Sequence, residues 1–104
     1  MATRGLRLGG TLTISDGTST TALSTSGSNL AVTAGAVTIG AGGILTANGS
    51  TITVNGNFNF SAGTFTYGTS TVVFAANGTM TSPGVGDTEY TYNVTVNASV
   101  TLTL

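Results

Sequence analysis

Asp16, Asp87 and Glu89 are the only acidic side chains in 104 residues, and Arg4 and Arg7 are the only basic ones. Asp87 and Glu89 stand two apart in the glycine-rich stretch 84–89, GVGDTE, where they could pair with each other or with Asp16. Two carboxylates are the machinery of glycoside hydrolysis, and carboxylate with carbonyl oxygens is the ligand set of calcium. Neither chemistry has its usual surroundings here. No EF-hand loop or glycine–aspartate calcium repeat is present, and the other groups a polysaccharide-cleaving site needs are scarce. The simpler role of these acids is a solvated loop that keeps a nearly neutral protein soluble. No catalytic, metal or cofactor residue is assigned, and the chain is expected to be non-enzymatic.

Tyr90 and Tyr92 flank the acidic stretch and are the candidate glycan contacts of the sequence. Phe58, Phe60, Phe65, Tyr67 and Phe74 could form a second sugar platform, but their spacing of two and seven suits an interior, where aromatics bury large apolar area. Asn48, Asn59, Asn77, Asn93 and Asn97 each open an Asn-x-Ser/Thr sequon. With 33 Ser or Thr among the 104 residues, chance alone supplies some of these sequons, and glycans matter only on a glycosylating route. Arg4 and Arg7 either dock an acidic surface, cap one end of the fold or lie in a solvated tail.

The composition excludes whole classes. There is no Cys, His or Lys, so disulfides, Cys/His zinc sites, thiol catalysis and imidazole acid–base chemistry are all absent. A net charge of −1 with two arginines opposes nucleic-acid binding, which needs many cations. No apolar run approaches the roughly 18–20 residues of a membrane helix, so no membrane insertion is expected. No basic start leads into an apolar stretch, so no signal peptide is visible from Met1. Mean hydropathy is +0.36, unlike the low-hydropathy, highly charged chains that stay unfolded.

Positioning falls to a repeat. Glycine recurs at 35, 42, 49, 56 and 63, and seven-residue windows from 28 to 76 carry apolar residues in the third and fifth slots. The third slots are Leu30, Val37, Ile44, Thr51, Phe58, Phe65 and Val72. The fifth are Val32, Ile39, Thr46, Thr53, Phe60, Tyr67 and Phe74. Offsets of two and five are not the three and four of a coiled coil, and each glycine opposes helix by up to ~1 kcal/mol. A spacing of two puts both apolar residues on one face of a strand. Each window therefore reads as a strand of about five residues and a two-residue corner. Ile52 and Val54 lie one residue late, as a β-bulge would place them.

The expected fold is a single all-β domain over 1–104, with no helix. It is a three-sided parallel β-solenoid of about 21 residues per coil and around five coils, in which Val37 stacks over Phe58. An antiparallel sandwich or jelly roll is the alternative. Residues 1–15 form a leading segment or cap, and 77–104 a turn-rich loop with two longer strands. In those strands Tyr90, Tyr92, Val94 and Val96 alternate, and then Val100, Leu102 and Leu104.

Residues 63–74 (GTFTYGTSTVVF), 78–79 (GT), 92–97 (YNVTVN) and 100–103 (VTLT) resemble Gly/Thr-rich β-helix repeats of large bacterial and archaeal surface proteins. Similar runs fit phage fibre and decoration proteins. The resemblance covers about 40 residues and implies a structural character, with no catalytic residues.

Residues 90–104 hold neither charge nor proline, the usual protectors of a strand edge. Val94, Val96, Val100, Leu102 and Leu104 are accordingly the expected self-association edge. The sequence points to a structural protein that pairs with itself, as a head-to-tail fibre or a trimer. A capsid or cell-surface scaffold is a further partner, and the site an extracellular assembly or virion exterior. The alternative function is a carbohydrate-binding or adhesive module.

Overall fold

The computed structural model describes residues 5–15, 17, 20–25, 29–84 and 90–104. Asp16, Asp87, Glu89 and Arg4 lie outside these residues, so the carboxylate pairing and half of the arginine cap do too. The apolar alternation forms short strands: β1 Gly5–Arg7, β2 Leu12–Ile14, β3 Thr21–Ser24, β4 Ala31–Ala34, β5 Val37–Ile39, β6 Gly43–Thr46 and β7 Thr51–Val54. They continue with β8 Phe58–Asn59, β9 Thr64–Thr66, β10 Thr71–Phe74, β11 Gly78–Thr81, β12 Asn93–Val96 and β13 Leu102–Thr103. Every pairing is parallel, and the described residues contain no helix.

The chain winds through three sheets in turn. Their strand orders are β1-β4-β7-β10-β12, β2-β5-β8-β11-β13 and β3-β6-β9. This is a β-solenoid of about 4 turns with about 22 residues per coil, which excludes the antiparallel sandwich. The count falls below five coils because the first turn is long. Leu6 pairs with Val32, 26 residues on, whereas Val32 pairs with Ile52, 20 residues on. The leading segment is not a separate cap, since β1 and β2 belong to that first coil.

Inward side chains stack in columns, and the columns are the core. Leu6, Val32, Ile52, Val72 and Val94 form one, and Ala34, Val54, Phe74 and Val96 another. Val37 sits over Phe58, as its slot predicts, in the column Leu12, Val37, Phe58, Met80. Leu23, Leu45 and Phe65 fill the third wall. Phe58, Phe60, Phe65 and Phe74 are buried and Tyr67 half-buried, which assigns the aromatic ladder to the interior. Phe58 and Phe65 meet edge to face at 5.2 Å, a favourable aromatic geometry.

Three expectations are corrected. Strands run two to four residues, not about five, because the corners are longer than two. No β-bulge delays Ile52 and Val54. Residues 51–54 pair one-to-one with 71–74; the extra residue sits in the corner between β5 and β6, and one fewer stands between β7 and β8. In that stretch the seven-residue register breaks: Ile44, Thr46, Thr51 and Thr53 face outward, and Leu45, Ala47, Ile52 and Val54 face inward. The two long C-terminal strands shrink to β12 and β13, and Tyr90 and Tyr92 precede β12 rather than belonging to it.

Corners hold the register. Gly35, Gly56 and Gly78 stack on one another. A Cβ on Gly56 would lie 2.8 Å from Gly35 O, and one on Gly78 would collide with Gly56 O. Asparagines tie successive coils. Asn29 Oδ1 accepts from Gly49 N–H at 2.9 Å, Asn57 Oδ1 from Thr79 N–H at 2.9 Å, and Asn77 Oδ1 from Thr101 N–H at 2.8 Å. At another corner Ser50 Oγ donates to Ala47 O at 2.6 Å, while the matching hydroxyl of Ser70 is buried with no partner.

Two stability predictions follow from these corners. Gly56→Ala should lower unfolding free energy by about 1–3 kcal/mol through overpacking, while Gly9→Ala, with nothing near its Cβ, should change it by less than about 0.5 kcal/mol. Ser50→Ala should cost about 1 kcal/mol, and Ser70→Ala should be neutral or stabilising. Chemical denaturation of the four variants checks both, and equal losses in both members of either pair would refute the corner assignment.

Candidate functional site

A column of inward side chains is dry only where a coil covers it. Along the first column, Val32, Ile52 and Val72 are buried, but Val94 is 41% exposed and Leu6 36% exposed. Val96, above fully buried Phe74, is 42% exposed. These valines point the same way as their buried neighbours and differ only in lying on the last coil. Covering each would recover about 1 kcal/mol. Leu104 extends the register of Gly78 with Leu102 and Thr79 with Thr103, so it continues the column above Met80, and it is 84% exposed. Leu102 and Val100 are half-buried against the core. All five residues of the expected edge therefore gather at one end of the solenoid.

The backbone at this end is equally open. Asn93 N–H bonds Ser70 O and Asn97 N–H bonds Phe74 O, so 93, 95 and 97 face back to β10. Strand alternation turns the N–H and C=O of Val94 and Val96 away from it. Among the described residues no strand pairs with the outer side of β12 or β13. A shallow recess of about 440 Å³ lies beside them, lined by Thr79, Met80, Thr81, Ser82 and Leu104.

The third sheet ends differently. Among the described residues no fourth strand follows β9 in this sheet. Tyr90 closes this side, packing on Phe60 with ring centroids 6.0 Å apart, and is half-buried. The two tyrosines are thus not equivalent as glycan contacts: Tyr90 is engaged with the core, and Tyr92 is 58% exposed.

No family model, curated protein or solved structure matches this chain. The site must be read from its own geometry.

The opposite end carries an apolar cavity that the sequence did not reveal, although Leu30 and Val32 occupy slots of the repeat. Leu6, Leu23, Leu30, Ala31 and Val32 line an apolar cavity of about 190 Å³ with Thr25. The alternation of Leu6 with Leu8 in the leading segment is the signal that could have revealed it. Arg7 is exposed and aligned with outward Thr33, so its charge points away from the core. Between the ends, the outer faces are ladders of hydroxyls and amides, such as Thr13, Thr38, Asn59 and Thr81. Of the sequon asparagines, Asn48 donates to Thr25 Oγ1, Asn59 accepts from Ser61 N–H and Asn77 accepts from Thr101 N–H, whereas Asn93 and Asn97 lie exposed on or beside β12.

The Asn77 bond is the side-chain tie that holds the corner before β13. Asn77→Ala should speed amide exchange at Thr101 and Thr103 about five- to tenfold, in line with a lost bond of about 1–1.4 kcal/mol, and leave β7 unchanged. Unaltered exchange at both would show that β13 is held by its column alone.

Proposed function

We propose that the protein is a non-enzymatic structural component that assembles with itself through the strand edge at its C-terminal end, as part of a fibre or a virion exterior. The carrying observation is the joint exposure of β12 and β13: inward valines 41% and 42% exposed, and edge amides directed away from the fold. Protein edges in this state invite another strand, and natural chains block them with charge or proline. Residues 90–104 contain neither. With a net charge of −1, little long-range repulsion opposes association.

The mechanism needs no bond chemistry. Backbone pairing supplies direction, and burial of Val94, Val96, Leu102 and Leu104 supplies affinity. A capsid or cell-surface scaffold would anchor such an assembly outside the cell. A second reading, a carbohydrate-binding or adhesive module, rests on exposed Tyr92 alone, because Tyr90 is packed on Phe60.

Negative-stain microscopy with light scattering on the purified chain tests the proposal. Filaments or a discrete oligomer should form, and Leu102→Lys with Leu104→Lys should abolish them while preserving the β-type circular dichroism. A monomer at all concentrations that binds a glycan array through Tyr92 would replace assembly with the adhesive reading.

A further inference from the structure

The partner surface for the C-terminal edge is on this chain as well. We infer that the edge formed by β12 and β13 docks on the N-terminal coil, β1 and β2, of a second copy, so that the solenoid continues across the joint in the register it keeps within one chain. This rests on the self-assembly reading above and specifies its partner and geometry.

The hydrogen-bond pattern carries the inference. Leu8 N–H bonds Thr33 O, so Leu6 and Leu8 face β4, and Gly5 and Arg7 turn their N–H and C=O to the outside. At the other end, Val94 and Val96 are the residues turned outside. The same holds in the neighbouring sheet. Leu12 N–H bonds Ala36 O, leaving Thr11 and Thr13 outward, and Gly78 N–H bonds Thr101 O, which leaves Leu102 and Leu104 outward at the far end. The pairings run one-to-one along both sheets, so the alternation never changes phase. The two edges are therefore the two halves of one parallel ladder. Val94 N–H meets Gly5 O, Arg7 N–H meets Val94 O, and Val96 N–H meets Arg7 O.

The side chains agree with that ladder. In this register Val94 lies over Leu6 of the second copy, Val96 over Leu8 and Leu104 over Leu12. Each contact extends a column already built from Val32, Ile52 and Val72, or from Val37, Phe58 and Met80. The exposed Leu6 and Leu30 around the 190 Å³ cavity are covered by the same step. Arg7 projects outward beside Thr33 and stays in water, so its charge is not buried.

Four steps of ~4.8 Å give a rise of about 19 Å from β1 to β12, which fits the shortest of the three extents, 39 × 33 × 25 Å. A triangular end within the other two is on the order of 650 Å², so a joint over two of its three walls buries about 900 Å² in total, the size of a weak, concentration-dependent interface. An edge that pairs with a different edge does not close on itself, and the product is an open filament.

Two edge prolines test this. Neither Arg7 nor Val96 donates its N–H inside the fold, so Arg7→Pro and Val96→Pro each block one end while sparing the internal ladder. Each variant alone should be monomeric by analytical ultracentrifugation, and an equimolar mixture should double in mass to a 1:1 dimer, joined by the free tail of one and the free head of the other. Arg7→Pro forming dimers by itself would show tail-to-tail pairing: this inference fails and edge-driven assembly stands. A wild-type monomer at every concentration would overturn both. If the wild type polymerises and the mixture stays monomeric, the joint lies elsewhere. Should Arg7→Pro lose its β-type circular dichroism, Leu6→Lys with Leu30→Lys takes its place, with the same outcomes.

Discussion

Parallel, in-register stacking of one coil on the next is the constraint on which the rest of the structure depends. A coil cannot shift alone, because its backbone ladder, its inward columns and its corner asparagines are all shared with the coils above and below. A one-residue slip within a strand would turn Ile52 and Val54 outward and Thr51 and Thr53 inward. Length variation is therefore confined to corners, which is where the extra residue before β6 is found. The glycine stack at 35, 56 and 78 has the same cause, since coils approach so closely there that a Cβ would strike the neighbouring carbonyl.

That constraint also explains the composition. A column repeats one environment several times, so its residues must all be apolar, while the outward column repeats a solvated one. Threonine meets the outer requirement well, being β-branched for the strand and hydroxylated for water. Charge is poorly suited to a ladder whose neighbours sit ~4.8 Å apart, because like charges stacked at that spacing repel. In the sequence, three of the five charged residues stand in the glycine-containing stretches 16–17 and 84–89. Among the described residues no charged side chain is buried, so no desolvated charge needs compensation. Stability is left to apolar columns, parallel backbone bonds and amide ties.

The sequence was legible where period and burial coincide. Spacing of two identified strands, spacing near seven identified corners, and together they select a three-sided parallel coil over a hairpin meander. Val37 over Phe58 and the buried phenylalanines follow from that alone. Strand lengths were not legible, because an extended residue at a corner and one in a ladder have the same side-chain preferences. Nor was the register between 43 and 54, where Ile44 and Thr51 occupy apolar slots in the repeat but face water in the fold. The C-terminal strands whose valines lie exposed are those the sequence marks by missing charge and proline. The apolar cavity at the other end was hidden, since Leu6, Leu23 and Leu30 are scattered in sequence and meet only after the first, longest coil has closed.

A fold made of repeated joints makes the difference between folding and assembly one of connection rather than kind. Inside the chain each new coil arrives tethered, and the loop closure it requires grows only slowly with length. Between chains the same ladder must also overcome an association cost of roughly 4–15 kcal/mol. The proposed joint would pair two sheets and not three, because among the described residues no strand follows β9 in the third. Such a joint would be weaker than any internal step, and on the proposed reading it would form where the protein is concentrated.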